Sequence, residues 1–296
     1  MKNFRSGFVA ILGRPNVGKS TLMNAMIGDK VAIVSPKPQT TRNRLMGVLT
    51  KPGFQIVFLD TPGIHRPKNK LGNYMVKSAE DAAKDVDAIL VVVDAKSGVG
   101  PNDRIIYQNA AARRVPVVVA VNKSDVCSEE ELLKALSAFS DAPEQVEILP
   151  TSGKTGKGLE ELVDLLEGYL PEGPHYFPED MITDQPEQAV VAELIREKAL
   201  MLLEEEVPHG IGVEILSFKK RENQDLVDIQ ATLYCERESH KRIVIGKNGA
   251  MLKKIGSMAR PDIERVLGNR VYLELWVKVK EDWRNKMSVL RTLGYE

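Results

Sequence analysis

Gly13-Arg14-Pro15-Asn16-Val17-Gly18-Lys19-Ser20 fits the pattern G-x-x-x-x-G-K-[ST], a loop that binds polyphosphate with little help from side chains. Backbone N–H groups of such a loop point inward, and the helix that follows adds the positive potential of its N-terminus. Gly13 and Gly18 permit the tight turn, Lys19 has the reach for β- and γ-phosphates, and Ser20 offers a hydroxyl to Mg²⁺. Three further motifs follow in order. In Asp60-Thr61-Pro62-Gly63, followed by Ile64, the Asp60 carboxylate can hold a metal through water and Gly63 can turn its N–H toward a γ-phosphate. In Asn122-Lys123-Ser124-Asp125, the terminal carboxylate can accept two hydrogen bonds from the N1–H and 2-amino edge of guanine. Adenine lacks that donor pair and would leave Asp125 unsatisfied. Thr151-Ser152-Gly153 can offer backbone N–H groups to guanine O6.

Such motifs need strands to carry them. Residues 8–12, 55–59, 88–93 and 117–121 are continuous, mostly β-branched apolar runs, the signature of strands buried on both faces. A further apolar stretch, 146–149, precedes Thr151. Helical patterns at 19–27, 76–84, 102–113, 128–138 and 159–169 separate or follow these runs. The alternation predicts a doubly wound α/β domain with a mostly parallel sheet over residues 1–170, each motif sitting at the carboxyl end of a strand. Pro171, Gly173, Pro174, Pro178 and Pro186 then mark residues 171–186 as a semi-rigid linker. Beyond it, the patterns predict a helix at 187–205, strands at 212–218 and 226–235, helices at 239–244 and 250–267, a strand at 271–279 and a last helix at 281–293. That order describes a second, α+β domain over 187–296. Trp276, Trp283, Met287 and Leu290 read as packing residues rather than as a platform for stacking bases.

The chain of 296 residues is long enough for two domains with separate cores. Cys127 and Cys235 stand apart, with no CxxC and no histidine at ligand spacing, which argues against a disulfide framework and a zinc site. The longest apolar run is six residues, too short to span a bilayer, and residues 1–5 carry no apolar export core, so a reducing cytoplasm is the expected address. With 41 basic and 41 acidic side chains the formal net charge is zero. The charge is nevertheless segregated. Residues 1–76 carry 12 basic and 2 acidic side chains, 77–185 carry 10 and 21, 186–236 carry 5 and 11, and 237–296 carry 14 and 7. Two basic blocks mark two places where anions are welcome.

The second basic block contains Val244-Ile245-Gly246-Lys247-Asn248-Gly249, a G-x-x-G. Composition alone yields about one or two such matches in a chain of this size, and residues 153–156 match as well. Context separates them: the Gly246 copy joins two helices, follows two strands and lies in a stretch, 237–254, with six basic residues and one acidic. This resembles a type-2 KH domain, whose loop clamps a single-stranded RNA backbone. Lys241, Arg242, Lys247, Lys253 and Lys254 can meet phosphates, Gly246, Asn248 and Gly249 form the loop, and Ile243 and Ile245 can floor a groove for bases.

The four nucleotide motifs resemble the guanine-nucleotide-binding domain of translation-factor-related GTPases. On that resemblance Gln39-Thr40-Thr41-Arg42, with Asn43, matches the switch segment whose threonine closes over Mg²⁺. Thr40 and Thr41 both remain open as that ligand, with Thr41 preferred. Lys37, Arg42 and Arg44 read as solvated charge, with phosphate contact the alternative. Ile64 occupies the place of the water-orienting glutamine of Ras-like GTPases, so slow intrinsic hydrolysis is expected, with His65 a candidate substitute. Asn16 is similar to the asparagine through which some GTPases recruit K⁺, and Gly153 departs from the commoner alanine. Taken along its whole length, the chain resembles the Era family of bacterial GTPases. The resemblance implies GTP and GDP as ligands, binding to the 3′ end of 16S ribosomal RNA, a role in maturing the 30S subunit, and some protein peripheral to the inner face of the membrane. A non-catalytic RNA-binding scaffold and a membrane-associated signalling GTPase remain open as alternatives. If Asp125 reads guanine, Asp125→Asn weakens GTP binding by about ten- to a hundredfold, the worth of a charge-assisted hydrogen-bond pair, and improves xanthosine triphosphate. Competition binding with the two nucleotides measures it, and an unchanged preference refutes the assignment.

Overall fold

The computed structural model describes residues 3–37, 39–64, 67, 69–143, 146–222 and 224–295. Its backbone forms two compact units: residues 1–34, 41–66 and 75–184 in the first, and residues 35–40, 67–74 and 185–296 in the second.

In chain order the first stretch comprises β1 (Arg5–Leu12), α1 (Lys19–Ile27), β2 (Leu45–Lys51), β3 (Phe54–Asp60), α2 (Lys70–Ala82), β4 (Ala88–Asp94), α3 (Pro101–Ala111), β5 (Val117–Asn122), α4 (Glu129–Ser137), β6 (Glu147–Pro150) and α5 (Leu159–Tyr169). These strands make one six-stranded sheet in the order β2-β3-β1-β4-β5-β6. All neighbours are parallel except β2 and β3. The unbroken apolar runs are explained by the two layers. Ile11, Phe58, Leu90 and Ala120 pack with Leu22 of α1 and Leu166 of α5, whereas Ala10, Val57, Ile89 and Val119 pack with Ile106 of α3 and Ala135 of α4. Each strand therefore needs apolar side chains on both faces.

Up to residue 186, three elements differ from the sequence reading. β2 was not anticipated: it is an antiparallel edge strand, continuous through Gly47, where a Cβ would come within 2.5 Å of Ile27 Cδ1. The second helix starts at Lys70 rather than 76, because Asn69 Oδ1 accepts the Gly72 N–H at 2.8 Å and caps a turn weakened by glycine. The proline-rich segment is laced to the sheet. Ser6 N–H donates to Pro171 O at 3.1 Å, and Val48 N–H to Ile182 O at 2.9 Å. The buried Gln55 amide donates to Phe177 O (2.9 Å) and accepts from the N–H groups of Tyr176 (2.9 Å) and Phe177 (3.0 Å).

The second unit holds α6 (Glu187–Leu202), β7 (Gly212–Lys220), β8 (Leu226–Cys235), α7 (Glu238–Ile245), α8 (Ala250–Leu267), β9 (Arg270–Val279) and α9 (Met287–Thr292). Its sheet runs β7-β8-β9, antiparallel and then parallel, with α6 and α8 packed together. The helix expected over 187–205 ends at Leu202, short of Glu204, Glu205 and Glu206, whose negative charge opposes a helix C-terminus. The helix expected over 281–293 is broken into a 3₁₀ turn at Trp283–Asn285 and α9, because Trp283 is buried and its indole N–H donates to Gly210 O at 2.8 Å. Trp283 and Leu290 are core residues as read, but Trp276 and Met287 are exposed at 42% and 47%. Gln55→Ala removes four side-chain bonds at once, the three to residues 176 and 177 and one to the Thr50 hydroxyl at 2.9 Å, and is expected to cost about 2–4 kcal/mol. Denaturant unfolding measures the loss, and proteolysis should begin within residues 171–184.

Candidate functional site

The loop after β1 is oriented from outside. Lys19 Nζ donates to the carbonyls of Gly13 (3.2 Å) and Arg14 (3.0 Å), and the Ile64 N–H also reaches Gly13 O (3.2 Å). Lys123 Nζ donates to Asn16 O at 2.7 Å and Asn122 Nδ2 to Val17 O at 2.9 Å. Engaging these carbonyls leaves the loop's N–H groups to face an anion, the arrangement such loops use. Gly18 has φ +97°, and a Cβ there would lie 2.4 Å from Asn122 Nδ2, so no other residue fits. Two residues that the sequence reading missed support this frame. Asp94, beside Asn122 in register at the ends of β4 and β5, accepts Lys123 Nζ at 2.7 Å. Asp103 accepts Arg14 Nε at 2.7 Å. The signal for Asp94 was a carboxylate closing a buried run; for Asp103 there was none beyond a helix start. Pro15 faces Gly63, where a Cβ would come 2.5 Å from Pro15 N.

The guanine-side residues form one network. Asn122 Oδ1 accepts the Gly153 N–H (3.1 Å) and the Thr151 hydroxyl (3.5 Å), and Ser124 N–H donates to Thr151 O (3.0 Å). Asp125 Oδ1 accepts the Ser152 hydroxyl at 2.7 Å. Thr61 is buried and donates to Ile11 O at 2.7 Å, so its side chain ties β3 to β1. Pro62 follows it at the mouth of the loop.

Beside the phosphate loop, three side-chain oxygens meet. The Ser20 hydroxyl donates to Asp60 Oδ2 at 2.6 Å and lies 2.9 Å from Thr41 Oγ1, which is 3.5 Å from Asp60 Oδ2. Thr40 points its hydroxyl at Lys37 O instead, at 2.7 Å. Gln39 has φ +61°, and Asn43 is half-buried. Arg42 is buried, which corrects its reading as solvated charge. Asp60 Oδ1 is buried with no hydrogen-bond partner among the described residues. Burial raises the Asp60 carboxyl above its ordinary range, opposed by Lys19 and by the hydroxyls of Ser20 and Thr41. Burial likewise lowers Lys19 to about 8, opposed by Asp60. A cluster of hard oxygens with an unsatisfied carboxylate fits Mg²⁺. Ile64 is half-buried against the apolar core, and His65 lies outside the described residues.

The G-x-x-G loop links α7 to α8. Gly246 has φ +74°, and a Cβ there would come within 2.8 Å of Met251 N, so the backbone at this turn requires glycine. Lys247, Asn248, Lys253, Lys254 and Arg242 are exposed; Lys241 is half-buried, 3.9 Å from Glu238. Ile243 is 48% exposed and Ile245 half-buried, while Val244 between them is core. α8 begins directly after Gly249, so its N-terminus opens on the same loop.

Two family models match this chain: 50S ribosome-binding GTPase over residues 8–123, and KH domain over residues 206–284. The chain is 54% identical to GTPase Era of Alkaliphilus metalliredigens, over 99% of this chain and 100% of the relative. It is 55% identical to GTPase Era of Alkaliphilus oremlandii, over 99% of each. Among solved structures it is similar to Aquifex aeolicus Era, a single-residue variant bound to GDP and aluminium fluoride, with TM-score 0.94, 45% identity and 99% of both chains covered. It is equally similar, at TM-score 0.94 and 46% identity over 99% of both chains, to Era in complex with MgGDPNP and nucleotides 1506–1542 of 16S ribosomal RNA.

The depressed Lys19 has a thermodynamic consequence. Between its folded value of about 8 and the ordinary 10.5, the unfolded chain binds a proton that the folded chain does not. Stability of the nucleotide-free protein should therefore rise with pH through that window, with a slope of at most about 1.4 kcal/mol per pH unit. Triphosphate beside Lys19 restores its proton and should flatten the slope. Denaturation at pH 8–10.5, with and without nucleotide and in Lys19→Met, measures it.

Proposed function

This chain belongs to the Era family of GTPases, and on that premise we propose that it couples GTP hydrolysis to binding of the 3′ end of 16S ribosomal RNA during 30S maturation. The observation that carries the coupling is the make-up of the C-terminal unit. Residues 35–40, which run up to Thr41, and 67–74, which follow Gly63 by three residues, belong to that unit with the KH domain. There the Arg196 guanidinium donates to the Thr40 carbonyl.

In this reading the backbone of Gly13 to Ser20 receives the phosphates, and Lys19 leaves the Gly13 and Arg14 carbonyls for the β- and γ-phosphates. Asp125 reads the guanine edge, and Gly153 and Ser152 supply N–H groups toward O6. Ser20 and Thr41 would hold Mg²⁺, with Asp60 acting through water, and Gly63 turns toward the γ-phosphate. When bound, Mg²⁺ neutralises charge on the phosphate oxygens. Asn16 is the residue through which K⁺ would act. Ile64 offers no polar atom to orient the attacking water, so turnover without an activator is slow. On the second domain, Lys247, Lys253, Lys254, Arg242 and Lys241 meet RNA phosphates around Gly246 and Gly249, while Ile243 and Ile245 contact bases. No helix of the described residues is long and apolar enough to cross a membrane. A cytoplasmic address, with peripheral contact at the inner membrane face, belongs to the same proposal by family resemblance.

The test measures GTP turnover and GDP affinity with and without an oligonucleotide matching the 3′ end of 16S RNA, in K⁺ and in Na⁺. RNA is expected to change turnover or nucleotide affinity at least about threefold, and the effect should vanish in the double variant Lys247→Glu, Asn248→Asp. RNA that binds without changing either quantity favours a scaffold instead.

A further inference from the structure

The phosphate loop is anchored in two separate halves. Residues 16–18 are fixed through Asn122 and Lys123, the latter braced by Asp94. Arg14 has a different anchor. Asp103 is the third residue of α3, and its side chain is fully buried. One carboxylate oxygen accepts the Gly100 N–H at 2.8 Å, which suffices to cap the helix. The other accepts Arg14 Nε at 2.7 Å, and Arg14 Nη2 reaches Gly98 O at 3.3 Å and Ser97 Oγ at 3.4 Å. A charge-assisted bond from a buried carboxylate is among the stronger restraints a side chain can place on a loop. Arg14 thus turns its side chain away from the phosphates while its carbonyl takes Lys19 Nζ. The next residue, Pro15, is the one that Gly63 approaches so closely that a Cβ would not fit.

We propose that Arg14 and Asp103 are a positioning pair for the γ-phosphate end of the site, acting through Pro15 and Gly63. The pair distinguishes GTP from GDP because Gly63, which packs on Pro15, faces the γ-phosphate that GDP lacks. This rests on the reading of the site given above, in which Gly63 faces the γ-phosphate.

The full-length chain and the variants Asp103→Asn, Arg14→Gln and their combination test it. Asparagine keeps an acceptor for Gly100 and loses the charge. Each single variant should lower kcat for GTP about tenfold while GDP affinity stays within about threefold. The double variant should be no slower than either single one, since the two residues act as a unit. Arg14→Lys, which keeps the charge, should recover part of kcat. Equal losses of GTP and GDP affinity with kcat intact would overturn the proposal, as would a double variant whose loss is the product of the single ones. If Asp103→Asn does not fold, Arg14→Gln against Arg14→Lys carries the same comparison, because the arginine is partly exposed. Wild-type chain that turns over no GTP would sink the reading of the site rather than the pair.

Discussion

A loop whose N–H groups must all face one anion has to dispose of its carbonyls on the other side. Each carbonyl turned away from the anion needs a donor, or the loop relaxes and the N–H groups scatter. In this chain the donors come from one helix and from the ends of two strands. Lys19 closes on Gly13 and Arg14 from the following helix, Ile64 reaches Gly13 from beyond β3, and Asn122 and Lys123 take Val17 and Asn16 from β5. That demand dictates the sheet. β3 and β4 must flank β1, and β5 must lie next to β4, all pointing the same way, so that their carboxyl ends crowd one edge. Parallel neighbours require helical crossovers, and the crossovers supply the two apolar layers. The strand order and the buried runs thus follow from orienting one loop.

The C-terminal unit solves a similar problem with fewer parts. Its loop must let another backbone come close, and Gly246 and Gly249 leave no side chain in the way. What holds the loop is the pairing of α8 with α6. Lys198, almost buried on α6, donates to Glu197 at 2.7 Å and to Asp262 of α8 at 2.5 Å. Burial alone would lower Lys198, but its two carboxylate partners raise it above the ordinary value. A buried cation shared by two carboxylates ties them together, because removing the lysine would leave two carboxylates facing each other without a cation between them. The register of α8, and with it the position of its N-terminus at the loop, is fixed accordingly.

Much of this was legible because the physics is local. Runs such as 88–93 and 117–121 can hardly be anything but two-faced buried strands, and the four nucleotide motifs sit where strand and helix patterns meet. The α-β-β-α-α-β order of the second unit was equally plain. What escaped reading depends on distant partners. β2 shows no clean alternation because Gly47 yields to Ile27, and nothing near Asp103 announces Arg14, 89 residues away. That the Thr41 hydroxyl lies beside Ser20 and Asp60 while that of Thr40 turns to Lys37 O is set by chain folding that adjacent, identical residues do not reveal. Arg42 looked like solvent-facing charge among other basic residues, yet it is buried. Trp276 looked like core and is exposed, since β9 shows one face to solvent. Net charge misled in the same way: zero overall, it hid two basic blocks, one containing the phosphate loop and one the G-x-x-G.

The electrostatics of the nucleotide site explain why metal and nucleotide should bind as a pair. Lys19 and Asp60 are both fully desolvated, and each is pushed toward its neutral form by burial. Their mutual attraction offsets only part of that penalty. A triphosphate alone would satisfy Lys19 but set further negative charge near the buried Asp60 carboxylate. A cation alone would satisfy Asp60 and repel Lys19. Only the two together compensate both charges at once, so each must raise the affinity of the other, and the coupling is reciprocal by linkage. A metal-bound nucleotide would thus offset the cost of burying both groups, where either component alone would offset only one.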